Sequence, residues 1–354
     1  MRAGSRFVIG VLLAVAAVAV APQAMAGTVT PLTLANGWQN APYSTRNAGF
    51  EVNSGVVEFE GAIAGGAADG AFTLPVGDRP AGGVYLPADL CNATEGQLMV
   101  WGPSGVGFAD DVGGNSPYPG AGGFSNAQCF TSLEGASFAP SASGYTPLSP
   151  LNGWFAINPF GASAPAARLI GGVVHLRGGI ADGESAVMFT LPPGMRPATD
   201  VYVPVDVCNT TGRLHITPSG TVDVEDDSGT LDNASCFTSL DGATFALSPA
   251  EYTPLTLLNG WTNAPFGTSA AAVRMVNGVV QFKGAIADGT SATVFTLPAG
   301  MRPAADVYVP VDLCGATNGR LHITPSGTAD VEAEDGSFGN AQCFTSLDGA
   351  WFAH

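Results

Sequence analysis

Apolar and polar positions alternate in short runs along most of this chain, and the runs recur about every ten residues. In the segment beginning at Val279, the side chains of Val280, Phe282 and Gly284 fall on one face. Val279, Gln281 and Lys283 fall on the other, the period-two pattern of a half-buried antiparallel strand. Over the last third of the chain the pattern predicts strands at Leu255–Leu258, Val273–Val276, Val279–Ile286, Ala292–Leu297, Val307–Leu313, Leu321–Thr324, Ala329–Glu332 and Phe344–Phe352. Turn pairs such as Asn277-Gly278 and Ser326-Gly327 separate them. No segment carries a long 3.6-residue amphipathic period. The predicted fold class is all-β, built from antiparallel sandwiches of the jelly-roll kind.

The same words return three times. Asn-Gly-Trp stands at Asn36-Gly37-Trp38, Asn152-Gly153-Trp154 and Asn259-Gly260-Trp261. A proline-rich stretch follows as FTLPVGDRPAGGVYLPADLC, FTLPPGMRPATDVYVPVDVC and FTLPAGMRPAADVYVPVDLC, and each copy closes on CFTSLEGASF, CFTSLDGATF or CFTSLDGAWF. The tryptophans lie 116 and 107 residues apart, far longer than solenoid or propeller repeats and long enough for each copy to enclose a core. The spacing predicts three tandem domains at 27–140, 141–248 and 249–354, joined by links too short for free tumbling. The extra length of the first copy falls in one loop, Gly113–Gly123.

Composition agrees with this and narrows the functions. Glycine (48) and proline (26) are plentiful, charged residues make up 12%, and the formal net charge is −17. Such a field repels phosphate backbones and excludes nucleic acid as a partner. Arg2 and Arg6 precede an apolar run from Phe7 to Val20, and Ala24-Met25-Ala26 gives a small-x-small cleavage pattern, so residues 1–26 read as an export signal. The run is shorter than the roughly 20 residues that cross a bilayer. The expected location is secreted, periplasmic or cell-surface, without membrane insertion.

Six cysteines behind an export signal point to disulfides, and repetition favours closure within each copy: Cys91–Cys129, Cys208–Cys236 and Cys314–Cys343. In this reading each bridge ties the closing strand to the end of the VYVPVD strand, stabilising by roughly 3–4 kcal/mol. No CxxC and no Cys/His cluster suggests redox or metal chemistry.

NGW, GVVxFxGxIxxG, FTLPxGxRP, PSGxxxV and SLDGxxFA together resemble the β-sandwich head domains at the tips of phage and prophage tail fibres. The resemblance runs through most of each copy and implies a compact sandwich that assembles as a trimer and touches cell-surface saccharide. Three copies in one chain, an export signal and paired cysteines depart from that family. They suggest instead three linked copies forming a pseudo-trimer within one chain.

Candidate binding residues are Trp101 and Tyr118, which only the first copy has, and the recurrent Arg79, Arg196 and Arg302, whose forks fit a carboxylated sugar. The plainer role for these arginines is to bond carbonyls of their own loops, with Asp206 and Asp312 as internal partners. Trp38, Trp154 and Trp261 are read as sandwich-end covers before sugar platforms. The acidic loops at Asp110-Asp111, Asp223–Asp227 and Asp330–Asp335 are read as solvated edges, with Ca²⁺ as the alternative and no other cofactor expected. His215 and His322 occupy the position of Met99, which argues against a shared catalytic or metal role, and no GxSxG or HExxH occurs. The reading is a non-enzymatic, multivalent adhesion protein for surface glycan. The alternatives are an inert envelope or matrix protein and, after it, a glycoside hydrolase.

Overall fold

The computed structural model describes Met1 and residues 28–112, 123–208, 210–248, 250–334 and 336–354. The predicted export signal after Met1, Tyr118 with nearly all of its loop, and Asp335 lie outside the described residues. The fold is all β, and every strand pair named below is antiparallel.

The third repeat shows the plan. Ala272–Val276 pairs with Val279–Lys283, which pairs with Trp351–Ala353, while Thr253–Pro254 edges the sheet. A second sheet runs Thr293–Thr296, Thr328–Ala333, Asn318–Ile323, Val307–Asp312. Alternation sets the faces of these strands. Leu321 and Ile323 are fully buried between the sheets, while Arg320 and His322 point the other way and are half-buried. Phe282 of the first sheet meets Phe295 of the second with ring centroids 5.9 Å apart. Each such buried ring contributes about 1.5–3 kcal/mol. The Asn277-Gly278 turn is as expected: both residues have positive φ (53° and 81°), and Val276 faces Val279 across a two-residue hairpin.

Buried apolar side chains form three clusters of this kind, spanning Leu32 to Phe138, Leu148 to Phe245 and Leu255 to Phe352. A small third sheet accompanies the first and third; in the second repeat it joins the larger sheet through Val207 opposite Thr238.

The three disulfides are Cys91–Cys129, Cys208–Cys236 and Cys314–Cys343, as read from the sequence. Their attachment differs from the expectation. The second cysteine of each pair ends a one-turn helix, Ser125–Cys129, Asp232–Cys236 or Phe338–Cys343, rather than opening a strand. The predicted closing strand is likewise broken in two. Thr345–Ser346 pairs with Ala285–Ala287, then the chain turns through Gly349 (φ 81°) and Trp351–Ala353 joins another sheet.

That break explains the recurrent Ser-Leu-Asp-Gly phrase. Its leucine enters the core, and its glycine takes the left-handed turn. Its acid caps a buried backbone amide: Glu134 accepts from Gly61, Asp241 from Gly178 and Asp348 from Gly284, at 2.9 to 3.1 Å. Its serine reaches into the next repeat. Ser132 donates to the Tyr308 carbonyl, Ser239 to that of Tyr85 and Ser346 to that of Tyr202, each at 2.6 Å. The strands carrying those tyrosines, Val84–Asp89, Val201–Val207 and Val307–Asp312, each touch the other two. The contacts therefore run in a cycle: first repeat to third, third to second, second to first.

Candidate functional site

Each step of the cycle makes a seam, built from equivalent positions. One repeat supplies a phenylalanine after its second cysteine and the neighbour a tyrosine: Phe130 on Tyr308, Phe344 on Tyr202 and Phe237 on Tyr85, edge-on at 5.0 to 5.2 Å. A second aromatic stands over them on a Pro-aromatic-small turn, as Tyr43, Phe266 or Phe160. Its backbone is left-handed in all three copies, with φ of 51°, 53° and 47°. Bulky side chains rarely adopt that region, and such strain gathers at functional positions.

At the seam between the third and first repeats, Arg320 lies over the Tyr308 ring at 4.9 Å. It bonds Asp89 of the first repeat at 3.3 Å and Glu332 of its own at 2.5 Å. His322 stacks on Tyr308 with ring centroids 4.3 Å apart. Tyr43 is 60% exposed. Tyr43, Asn92, Phe130, Tyr308, Arg320 and the Cys91–Cys129 bridge enclose a cleft of about 240 Å³. The seam between the second and third repeats repeats the pattern: Arg213 bonds Asp312 at 3.2 Å and Glu225 at 2.6 Å, His215 stacks on Tyr202 at 4.5 Å, and Phe266 is 64% exposed.

The seam between the first and second repeats is different. Met99 stands where the others have histidine, Gln97 where they have arginine, and Gly83 where they have Asp200 and Asp306. With those polar groups gone, Tyr85 is fully buried and forms a separate apolar cluster with Met99, Ala162, Cys208 and Phe237. Phe160 packs against this cluster, and its carbonyl accepts the Tyr85 hydroxyl at 2.6 Å.

Burial governs the carboxyls beneath these seams. Desolvation pushes Asp89, Asp206 and Asp312 up to about 7, against the pull of Arg320 on Asp89, the Gln97 amide on Asp206 and Arg213 on Asp312. Glu95 is raised well above the usual carboxylate range, first by burial and then by Asp206. Sequence reasoning assigned Asp206 and Asp312 to arginines of the Gly-x-Arg-Pro turns, and this is corrected. Asp312 pairs with Arg213, and Asp206 accepts from Gln97 at 2.9 Å, both across a seam.

Arg79, Arg196 and Arg302 instead donate Nε to carbonyls of their own loops, those of Leu74, Leu191 and Leu297, at 2.8 to 3.1 Å. Trp101 is half-buried beside the apolar cluster of the first and second repeats, away from Tyr43. Trp38, Trp154 and Trp261 are each 5% exposed and donate to the Ala68, Ser185 and Ser291 carbonyls. A Cβ on the facing Gly66, Gly183 or Gly289 would lie 2.0 to 2.3 Å from the indole. These tryptophans are core.

The acidic loops are less solvated than expected. Asp110 and Asp226 are buried, Asp111 accepts from Ala127 N at the start of the first helix at 2.7 Å, and Glu225 and Glu332 hold the seam arginines. Among the described residues no three His, Cys, Asp or Glu side chains are placed to hold a metal ion. His175, Glu58 and Gln281, equivalent in the three copies, line a second cavity of about 60 Å³. Burial lowers His175 to about 4 and raises Glu58 to about 7, and the Gln281 carbonyl already accepts from Arg274 at 2.9 Å.

The seam residues Tyr43, Tyr308 and Arg320 escaped the sequence reading because each half of the site lies on a different copy. A signal was present in the alignment of the copies, where Gln97, Arg213 and Arg320 vary together with Met99, His215 and His322. No protein-family profile, curated protein or solved structure matches this chain.

Proposed function

We propose that this is an exported, non-enzymatic binding protein that holds surface saccharide in a cleft between two of its repeats. The observation that carries the reading is the exposed aromatic on a strained turn, which lines one cleft together with a tyrosine–arginine pair from the neighbouring repeat. Aromatic rings offer a flat apolar face to the C–H side of a sugar, and polar groups at the rim of the cleft meet its hydroxyls. Three disulfides fit an oxidising compartment, where such ligands are met.

A glycan array spanning neutral, amino and acidic oligosaccharides tests the reading, with the supernatant assayed for cleaved product. Retention without cleavage, abolished by Tyr43→Ala in a protein that still unfolds cooperatively, is the expected result. Absence of binding to every class refutes it, and release of shortened sugars replaces it with a hydrolase.

A further inference from the structure

The three seams are equivalent in construction and unequal in equipment. Among the described residues, only the cleft between the third and first repeats carries both a phenol and a carboxamide on its open side. Tyr43 presents a hydroxyl whose one polar contact among the described residues is the Cys129 sulfur at 3.7 Å. Asn92 is exposed, and among the described residues its carboxamide has no partner. At the seam between the second and third repeats the same two positions are Phe266 and Gly315. That seam keeps the aromatic platform and loses both polar groups. Between the first and second repeats Phe160 packs into the seam, so the protein fills its own cleft.

Charge narrows the ligand further. The guanidinium in the cleft, Arg320, is held by Asp89 and Glu332 and is not free to grip a carboxylate. The chain carries a formal net charge of −17, which disfavours an acidic sugar at any exposed site.

Resting on the function proposed above, we infer that each chain has one specific saccharide site, the cleft of Tyr43, Asn92, Phe130 and Tyr308, and that it takes a neutral sugar. Tyr43 supplies a stacking face and a hydroxyl, and Asn92 supplies a carboxamide that can donate to one sugar hydroxyl and accept from another. The Phe266 cleft is a platform without hydrogen-bonding groups. A site built to bond hydroxyls gains most of its discrimination from them.

Calorimetric titration of the full chain tests this, with maltoheptaose, cellopentaose and chitopentaose as neutral probes and oligogalacturonate as the acidic one. The expected result is one neutral oligosaccharide bound per chain and no oligogalacturonate. Tyr43→Phe and Asn92→Gly should each weaken binding by roughly threefold to tenfold, the worth of one neutral hydrogen bond.

The converse variant is the sharper arm. Phe266→Tyr with Gly315→Asn places the missing groups in the second cleft, and stoichiometry should rise from one to two. Gly315 has φ 72° and Asn92 has φ 60°, so asparagine suits that backbone. Two or three sugars bound by the unmodified chain, full affinity in Tyr43→Phe, or preference for oligogalacturonate would each overturn the single neutral site while leaving saccharide binding intact. Silence with every probe removes the proposed function as well.

Discussion

The seam between the first and second repeats and the seam between the third and first begin from the same scaffold and end in opposite states. Both place a phenylalanine edge-on to a neighbour's tyrosine, and both receive a serine hydroxyl at that tyrosine's carbonyl. At the first, methionine, glycine and glutamine leave nothing that needs water, and the aromatics close over one another. At the second, histidine, aspartate and arginine must stay paired and partly hydrated, which holds the cleft open. Three replacements, each removing a charged or ionisable side chain, accompany the change from an open seam to core packing.

The largest expected effect comes from truncating the two tyrosines. Tyr85→Ala empties a fully buried position and should cost about 3–5 kcal/mol in urea unfolding, whereas half-buried Tyr308→Ala should cost about 1–2. Equal losses would mean the two seams are packed alike.

The buried aspartates should separate the seams next. Asp89→Asn takes from Arg320 its partner across the seam and leaves it with Glu332, so it should destabilise by about 1.5–3 kcal/mol, the worth of a hydrogen bond to a charged group. Asp206→Asn removes a carboxyl whose only hydrogen-bond partner among the described residues is the Gln97 amide, so its cost should stay below about 1 kcal/mol. A large loss in Asp206→Asn would disprove this distinction.

Stability should also fall as pH rises. Asp89, Asp206 and Asp312 sit at about 7 when folded against an ordinary value of 3.8, so the folded chain holds protons that the unfolded chain has released. Their contribution is complete below the ordinary value and is lost as pH passes through 7. The melting temperature should therefore decline by several degrees between pH 5 and 8.5, and less steeply in Asp206→Asn. A rise over that range would contradict the burial of these groups. The smallest effect is expected for Phe266→Ala, within about 0.5 kcal/mol in urea unfolding because the ring is largely in water. A cost near that of Tyr85→Ala would show the second cleft to be closed.

Much of a single repeat could be read from the chain. Period-two alternation located most of its longer strands, Asn277-Gly278 its hairpin and the paired cysteines its disulfide. The expected strand Leu255–Leu258, however, lies just after the observed Thr253–Pro254, and Val279–Ile286 breaks at Gly284 into two. What stayed hidden has physical causes. One-turn helices such as Ser125–Cys129 are shorter than any period they might display. The break at Leu347-Asp348-Gly349 is invisible to alternation, because strand residues continue on both sides of it. The Arg320–Asp89 pair joins residues from different copies, and no spacing within one copy encodes it. Asp206 and Asp312 were misassigned for the same reason. The strain at Tyr43 has no turn signature, since proline followed by tyrosine and serine does not call for positive φ.

Covalent linkage of the copies has one more consequence. When identical subunits associate head to tail, a substitution in the gene appears at every junction, so a residue that suits one junction must suit all. Here Met99, Gln97 and Gly83 alter a single junction and leave Arg213 and Arg320 untouched at the other two. One polypeptide can thus pack one junction shut with apolar side chains and keep paired, partly exposed polar ones at the other two.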